Sequence, residues 1–192
     1  MNFIHTYSIV GASYYNYQNE VEKGLIVMST NNVLEKLKTF KTIEIGTYTD
    51  VKTVLKAMEE IGAGSSYWAG SILNKTELSK SKQSLDLVVP SVRELGFPNG
   101  AMRMKIYEAG RNQGLDLSPA EVGPQLLLQY PDQPIGTGLV IAMEPITDSD
   151  SGLFLFLFLV CNYDGGRYLD AFDGRPDRFY YPNDRFVFVR RK

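Results

Sequence analysis

Leu153–Cys161 reads LFLFLFLVC, nine consecutive apolar residues. A helix needs about 20 such residues to cross a bilayer, so this run is too short for that. Its length and aromatic content fit a β-strand that is apolar on both faces. Such a strand belongs at the centre of a sheet, with helices on one face and another layer or a partner on the other. Around it, Gly138 to Ile146 reads as a strand, and Asp148-Ser149-Asp150-Ser151-Gly152 lies in a turn. Tyr163-Asp164-Gly165-Gly166 is a tight-turn signal with Arg167 to Phe172 as the returning strand, and Arg185 to Arg190 alternates as a last strand.

Helices precede this meander. Ser91 and Glu94 have capping-box spacing at the start of a short turn, and Pro98-Asn99-Gly100 breaks the chain. Ala101 to Gln113 follows as a helix with Met102, Ile106 and Ala109 on one face and Gly114 at its end. The expected fold class is α+β: an antiparallel β-meander in the C-terminal half with helices packed on one face, after a mixed α/β N-terminal half.

In the N-terminal half, Phe3 to Ala12 and Gly24 to Met28 read as strands joined by the tyrosine-rich segment 14–24. Asn32 to Lys38 reads as a short helix, and Thr42 to Thr49 as a strand. Asp50 caps a clear helix whose apolar positions are Val51, Val54, Leu55, Met58 and Ile61, with Gly62 as its stop. GAGSSYWAGSIL (62–73) holds the only tryptophan, Trp68, and NKTELSKSKQS (74–84) reads as an exposed loop or linker. A boundary near residue 84 divides the chain into 1–84 and 85–192. The alternative is a single domain with a long loop there.

Composition narrows the function classes. The 192 residues are 44% hydrophobic and 22% charged, with net charge −2, so no whole-chain field attracts nucleic acid or anionic membranes. One cysteine, Cys161, allows no disulfide within the chain, and the N-terminus lacks the pattern of a secretory signal. Cytoplasmic is the expected location. With His5 the only histidine, zinc sites built from histidine and cysteine are set aside, and a catalytic triad would have to use a strand residue. No cofactor motif occurs; Gly62-Ala63-Gly64-Ser65-Ser66 reads as a helix end plus loop rather than a phosphate cradle. Residues 162–192 hold seven Arg/Lys against five Asp, interleaved with aromatics. That mixture suits solvated hairpins better than a surface for single-stranded nucleic acid.

The densest segment is Leu117–Pro134, LSPAEVGPQLLLQYPDQP. Ser118 is read as a cap with Pro119 and Glu121 in the first turn, and Gly123-Pro124 as a stop. Gln125 to Tyr130 then reads as a strand, and Pro131 to Pro134 as a turn. Glu121, Gln125, Gln129, Tyr130, Asp132 and Gln133 are the candidate binding residues on this reading, against the architectural one of cap and solvated glutamines. A non-enzymatic binding or interaction protein is the leading expectation, for a protein partner or small ligand. The alternatives are a small hydrolase using Glu121, Asp132 or Glu144, and a single-stranded nucleic-acid binder using the C-terminal aromatic and arginine residues. A homo-oligomer is expected if a face of the apolar strand is left uncovered.

SVRELGFPNGA (91–101), IYEAG (106–110), GLDLSPAEVGPQLLLQYPDQP (114–134) and IAMEPI (141–146) together resemble a family of small bacterial proteins of unknown function. Its pattern is GLxLCPAEVGPxLRLQYxDQPxGE followed by an AMEPI-like strand. The resemblance covers about residues 88–146, with a fainter echo in FVFVR. This chain has Ser118 where the family often has Cys, Leu127 where it often has Arg, and Thr137 near the acidic position. A cysteine- or arginine-based function is therefore not implied, and the family carries no reaction to transfer.

Overall fold

The apolar run forms β8 (Leu155–Tyr163), flanked by antiparallel neighbours on both edges. This is a computed structural model, and it describes residues 37–147, 154–163 and 165–192. The expected elements in residues 3–12 and 24–28, most of 32–38, His5 and the turn at 148–152 lie outside the described residues.

In chain order the strands are β1 (Lys41–Ile45), β2 (Gly64–Ser65), β3 (Gln83–Val88), β4 (Ala101–Met102), β5 (Leu115–Asp116) and β6 (Thr137–Ile141). Then come β7 (Ile146–Thr147), β8, β9 (Gly166–Asp173), β10 (Phe179–Tyr180) and β11 (Phe186–Arg190). The helices are α1 (Val51–Glu60), α2 (Tyr67–Leu73), α3 (Arg103–Asn112) and α4 (Val122–Gln129). The main sheet runs β1-β3-β11-β6-β8-β9-β2, with β5 beside β11 and β7 beside β8; β4 and β10 form a separate ribbon. Leu37–Lys192 makes one compact unit. The 74–84 segment joins α2 to β3, and its last two residues already belong to that strand, which pairs with β1.

The fold is α+β, with a mixed sheet. Strands β6, β8 and β9 are antiparallel neighbours, as a meander requires, but β11 joins β6 in parallel and β2 joins β9 in parallel. Helices cover both faces rather than one. Side chains alternate along a strand, and directly paired residues share a face. Phe158 therefore faces one way, against Gly123 of α4. Leu159 faces the other way, in register with Val140 and through it with Phe186. Phe186 and Phe188 meet Tyr107 of α3 with ring centroids 6.2 Å apart. The reason is in β8 itself: Leu157 to Cys161 are all buried, so both faces need a layer.

Local signals worked where the partner was near in sequence. Asp50 caps α1 by accepting from Thr53 N at 2.8 Å, and Gly62 follows the helix with φ +70°, a conformation glycine adopts without a Cβ clash. Val54 and Met58 are buried, while Leu55 and Ile61 are partly exposed, so the stripe is narrower than its pattern. Ser91 and Glu94 form the expected capping box: the Ser91 N–H donates to Glu94 Oε2 at 2.7 Å, and Glu94 N–H donates to Ser91 Oγ at 3.2 Å. The Ser91 N–H bond is the main cause that holds the Glu94 carboxyl below its usual range. Helix α3 is rotated from the expected face. Its buried residues are Arg103, Ile106, Tyr107 and Gly110, and Met102 points to solvent. The rotation follows from Gly110, which lets the Phe188 ring approach until a Cβ there would lie 2.6 Å from it.

Two outcomes follow from this packing. A Cβ at Gly123 would lie 2.8–2.9 Å from Phe158 atoms, including its Cβ. Gly123→Ala should cost about 1–3 kcal/mol by overpacking, read as a lower urea midpoint at unchanged slope. On the alkaline side, burial raises the Tyr107 hydroxyl from 10.0 to about 12 and raises Tyr180 further. The folded state then holds phenolic protons that the unfolded chain gives up. Stability should be level below pH 10 and fall as pH rises towards 12, measured by denaturant midpoints across that range.

Candidate functional site

The segment 117–134 was expected to hold a cap, a stop and a strand. In the structure its core is helix α4, beginning after the turn at Pro119 and Ala120. Gly123 and Pro124 sit in the first turn of that helix. The first four N–H groups of a helix have no internal acceptor, so a proline there removes no bond. The glycine before it lacks the Cβ that would otherwise crowd the proline ring. Ser118 is no cap: its hydroxyl donates to Val187 O at 2.9 Å and its N–H to Ala142 O at 2.7 Å, tying the segment across β11 and β6.

The helix places Glu121, Gln125 and Gln129 at i, i+4 and i+8, a row on one side. That row runs along the edge of β1 that no other described strand pairs with. Gln129 Oε1 accepts from Glu44 N at 2.9 Å, while its Nε2 donates to Glu44 O at 2.7 Å. One side-chain amide thus does for Glu44 what a neighbouring strand would do. Gln125 Nε2 donates to Thr47 Oγ1 at 2.7 Å, and its Oε1 accepts from Gln129 at 2.9 Å. Glu121 is 0% exposed. Its carboxylate accepts from Gly46 N and Ser79 N, both at 2.7 Å, and from Gln125 Nε2 at 3.4 Å. Bonds from N–H groups to a carboxylate are about twice as strong as neutral ones, which offsets the desolvation of the buried charge.

Of the six candidate residues, Glu121, Gln125 and Gln133 are buried. Gln133 donates to Val160 O at 3.1 Å, and its backbone O accepts from Asn162 Nδ2 at 2.6 Å, fixing the turn onto β8. Gln129 is half-buried and engaged with β1. Tyr130 and Asp132 remain at the surface side. Tyr130 ends α4, packs edge-on against Phe40 at 5.2 Å, and has Lys41 Nζ 5.3 Å above its ring. Partial burial, then the Asp132 charge, raises its hydroxyl pKa. The carbonyls at the end of α4 are met by Arg167 of β9, whose Nη1 donates to Leu127 O at 3.0 Å. A cation there also suits the helix dipole.

The carboxylates considered for hydrolysis are not brought together. Glu121 lies under the β1 edge, Asp132 is in the exposed turn, and Glu144 pairs with Arg111 of α3 at 3.4 Å on the opposite face. Most C-terminal arginines have internal partners: Arg175 holds Asp173, Arg185 meets Glu94, Arg190 donates to Leu37 O, and Arg191 holds Asp116. The buried Cys161 thiol is pushed up to about 11, first by burial and then by Asp170, which makes it a poor nucleophile. Among the described residues no group of three or more His, Cys, Asp or Glu could hold a metal ion, and no helix is long and apolar enough to cross a membrane.

Sequence reasoning missed an aromatic surface. Helix α2 is capped by Ser66, whose Oγ accepts from Ala69 N at 3.1 Å, and it buries Ala69, Ile72 and Leu73. Tyr67 and Trp68 precede that stripe and face outward, 80% and 45% exposed. Their rings meet edge-on at 5.0 Å, and Trp68 stacks on Phe156 of β8 at 5.5 Å and 20°. Phe154, in step with Phe156, is 59% exposed. The signal was present in Tyr67-Trp68: adjacent helical residues point about 100° apart, so a short one-stripe helix cannot bury both.

No family model, curated protein or solved structure matches this chain.

The polar row predicts a specific loss. Glu121→Gln should set an amide N–H₂ against one of the two backbone donors. Removing the acceptor from a buried donor costs about 1–3 kcal/mol, or roughly 2–10 °C in melting temperature for a chain this long. Calorimetry on that variant checks it; an unchanged melting temperature would mean that Glu121 does not carry the β1 edge.

Proposed function

We propose that this chain is a non-enzymatic binding protein and that its docking face is the aromatic surface of Tyr67, Trp68, Phe154 and Phe156. One observation carries this reading: the Tyr67, Trp68 and Phe156 rings touch in turn at the surface while Glu121, Gln125 and Gln133 are engaged inside the core. Exposed apolar clusters mark interaction sites, and Tyr and Trp are the residues that most often dominate binding energy at an interface. The surface favours a partner that presents an apolar segment to the ring faces, with the Asp173–Arg175 pair beside Phe156 as a charged margin. Tyr130 and Asp132, with Phe40 and Lys41, form a second and smaller rim that serves as the control surface.

Trp68 is the only tryptophan, so its emission reports on this face alone. A photoreactive phenylalanine placed at Tyr67 in cells should crosslink the partner. With that partner purified, Trp68 emission should shift to the blue on binding. Tyr67→Ala with Trp68→Ala should weaken binding by about 2 kcal/mol or more, roughly thirtyfold. Tyr130→Ala with Asp132→Ala should leave it within about threefold. Unchanged Trp68 emission in the complex, together with intact affinity of the Tyr67/Trp68 variant, would overturn the assignment of this face.

A further inference from the structure

The β4–β10 ribbon sets two arginines opposite each other. Phe179 pairs with Met102 and Tyr180 with Ala101. The same antiparallel register puts Arg178 opposite Arg103, and Arg103 N–H donates to Arg178 O at 2.8 Å. Directly opposed residues project to the same side with Cβ atoms about 4.5–5.5 Å apart, and like charges so placed are destabilising. This side of the ribbon is the inner one, because Tyr180 and Ala101 are buried. Arg103 itself is only 8% exposed.

Each guanidinium lies on an aromatic ring. Arg103 is 4.7 Å from the Tyr107 centroid, and Arg178 is 5.5 Å from the Phe172 centroid. The two rings belong to one connected group, through Phe186 and Tyr180. Arg103 Nε donates to Arg175 O at 3.2 Å. Arg178 Nε is buried and meets no acceptor among the described residues. Neither guanidinium forms an ion pair among those residues. Asp173 feels the charge of Arg178, but its carboxylate is held by Arg175 through Nε at 3.1 Å and Nη2 at 2.9 Å. Two arginines thus stand opposite each other in the ribbon, with Arg103 buried, while the Asp173 carboxylate is held by Arg175.

We propose that Arg103 and Arg178 form a binding site for a phosphate group. A phosphate dianion balances both charges at once, whereas a single carboxylate leaves one positive charge over. Guanidinium forks match pairs of phosphate oxygens, and the rings behind them hold the planes in place. The site lies at the ribbon beside α3 and does not depend on the aromatic face around Trp68.

Thermal unfolding by circular dichroism tests it, with inorganic phosphate against chloride at equal ionic strength and pH 8. Phosphate should raise the melting temperature in a saturable way, by about 5–10 °C once it exceeds its dissociation constant a hundredfold. Arg178→Gln removes the like-charge contact. Without phosphate it should melt at or above the wild-type temperature, and phosphate should not move it. Arg178→Lys keeps the charge and loses the fork; titration calorimetry should show about tenfold weaker phosphate binding. Equal responses of the wild type to phosphate and chloride would overturn the site, and so would a phosphate response retained by Arg178→Gln.

Discussion

Every layer of this protein answers to one strand. β8 buries Leu157 through Cys161, and because successive side chains point to opposite faces, neither side can be left to water. The cover on each side depends on a close approach by a helix. On one face α4 comes near enough that Gly123 sits against Phe158; on the other α3 comes near enough that Gly110 sits against Phe188. Both contacts need glycine, since any Cβ would enter an aromatic ring already in place. Large aromatic side chains on the strands and glycine on the helices are thus two halves of one packing solution.

A sheet filled in this way still has edges, and side chains meet backbone groups on each. At the β1 edge, Glu121, Gln125 and Gln129 supply acceptors and donors to Gly46, Thr47 and Glu44. At the other, β2 covers only Tyr168 and Leu169 of β9, and Asp170 accepts the N–H of Ala171 at 2.8 Å. Unpaired backbone groups on an edge invite another strand. The glutamine and carboxylate groups occupy those positions at Glu44, Gly46 and Ala171. Recognition by strand addition is therefore disfavoured at Glu44 and Gly46.

The parts legible in the sequence were those whose cause is local. The Asp50 cap, the Gly62 stop, the Ser91–Glu94 box and the central place of LFLFLFLVC all depend on residues a few positions apart or on a continuous apolar run. The misreading of 117–134 has a single source. Gly123-Pro124 signals a break when judged by backbone rules alone, but in the first turn of a helix the same pair is tolerated. Whether it opens or closes a helix is decided by Phe158, 35 positions away, which needs the glycine under it. Once the segment is a helix, its glutamines fall on one row; as a strand they would have shared a face with Leu127. The candidate site moved for the same reason. The polar residues were recognisable as a pattern, but their partners Glu44, Gly46 and Ser79 lie 42–85 positions away.

This relocation bears on how function is to be sought in the chain. A buried carboxylate held by two backbone N–H groups cannot turn outward without leaving those donors bare, so Glu121 is committed to the fold. The same holds for Gln125 and Gln133, which join elements distant in sequence. Tyr67 and Trp68 are under no such constraint. Helix α2 is anchored by the buried Ala69, Ile72 and Leu73, while Tyr67 and Phe154 stand largely in water. Their exposure leaves apolar area in water that the fold does not use, and a partner that covers it gains what the core did not. The guanidiniums of Arg103 and Arg178 are the opposite case: the fold brings them together, and a dianion relieves the repulsion that the ribbon register creates.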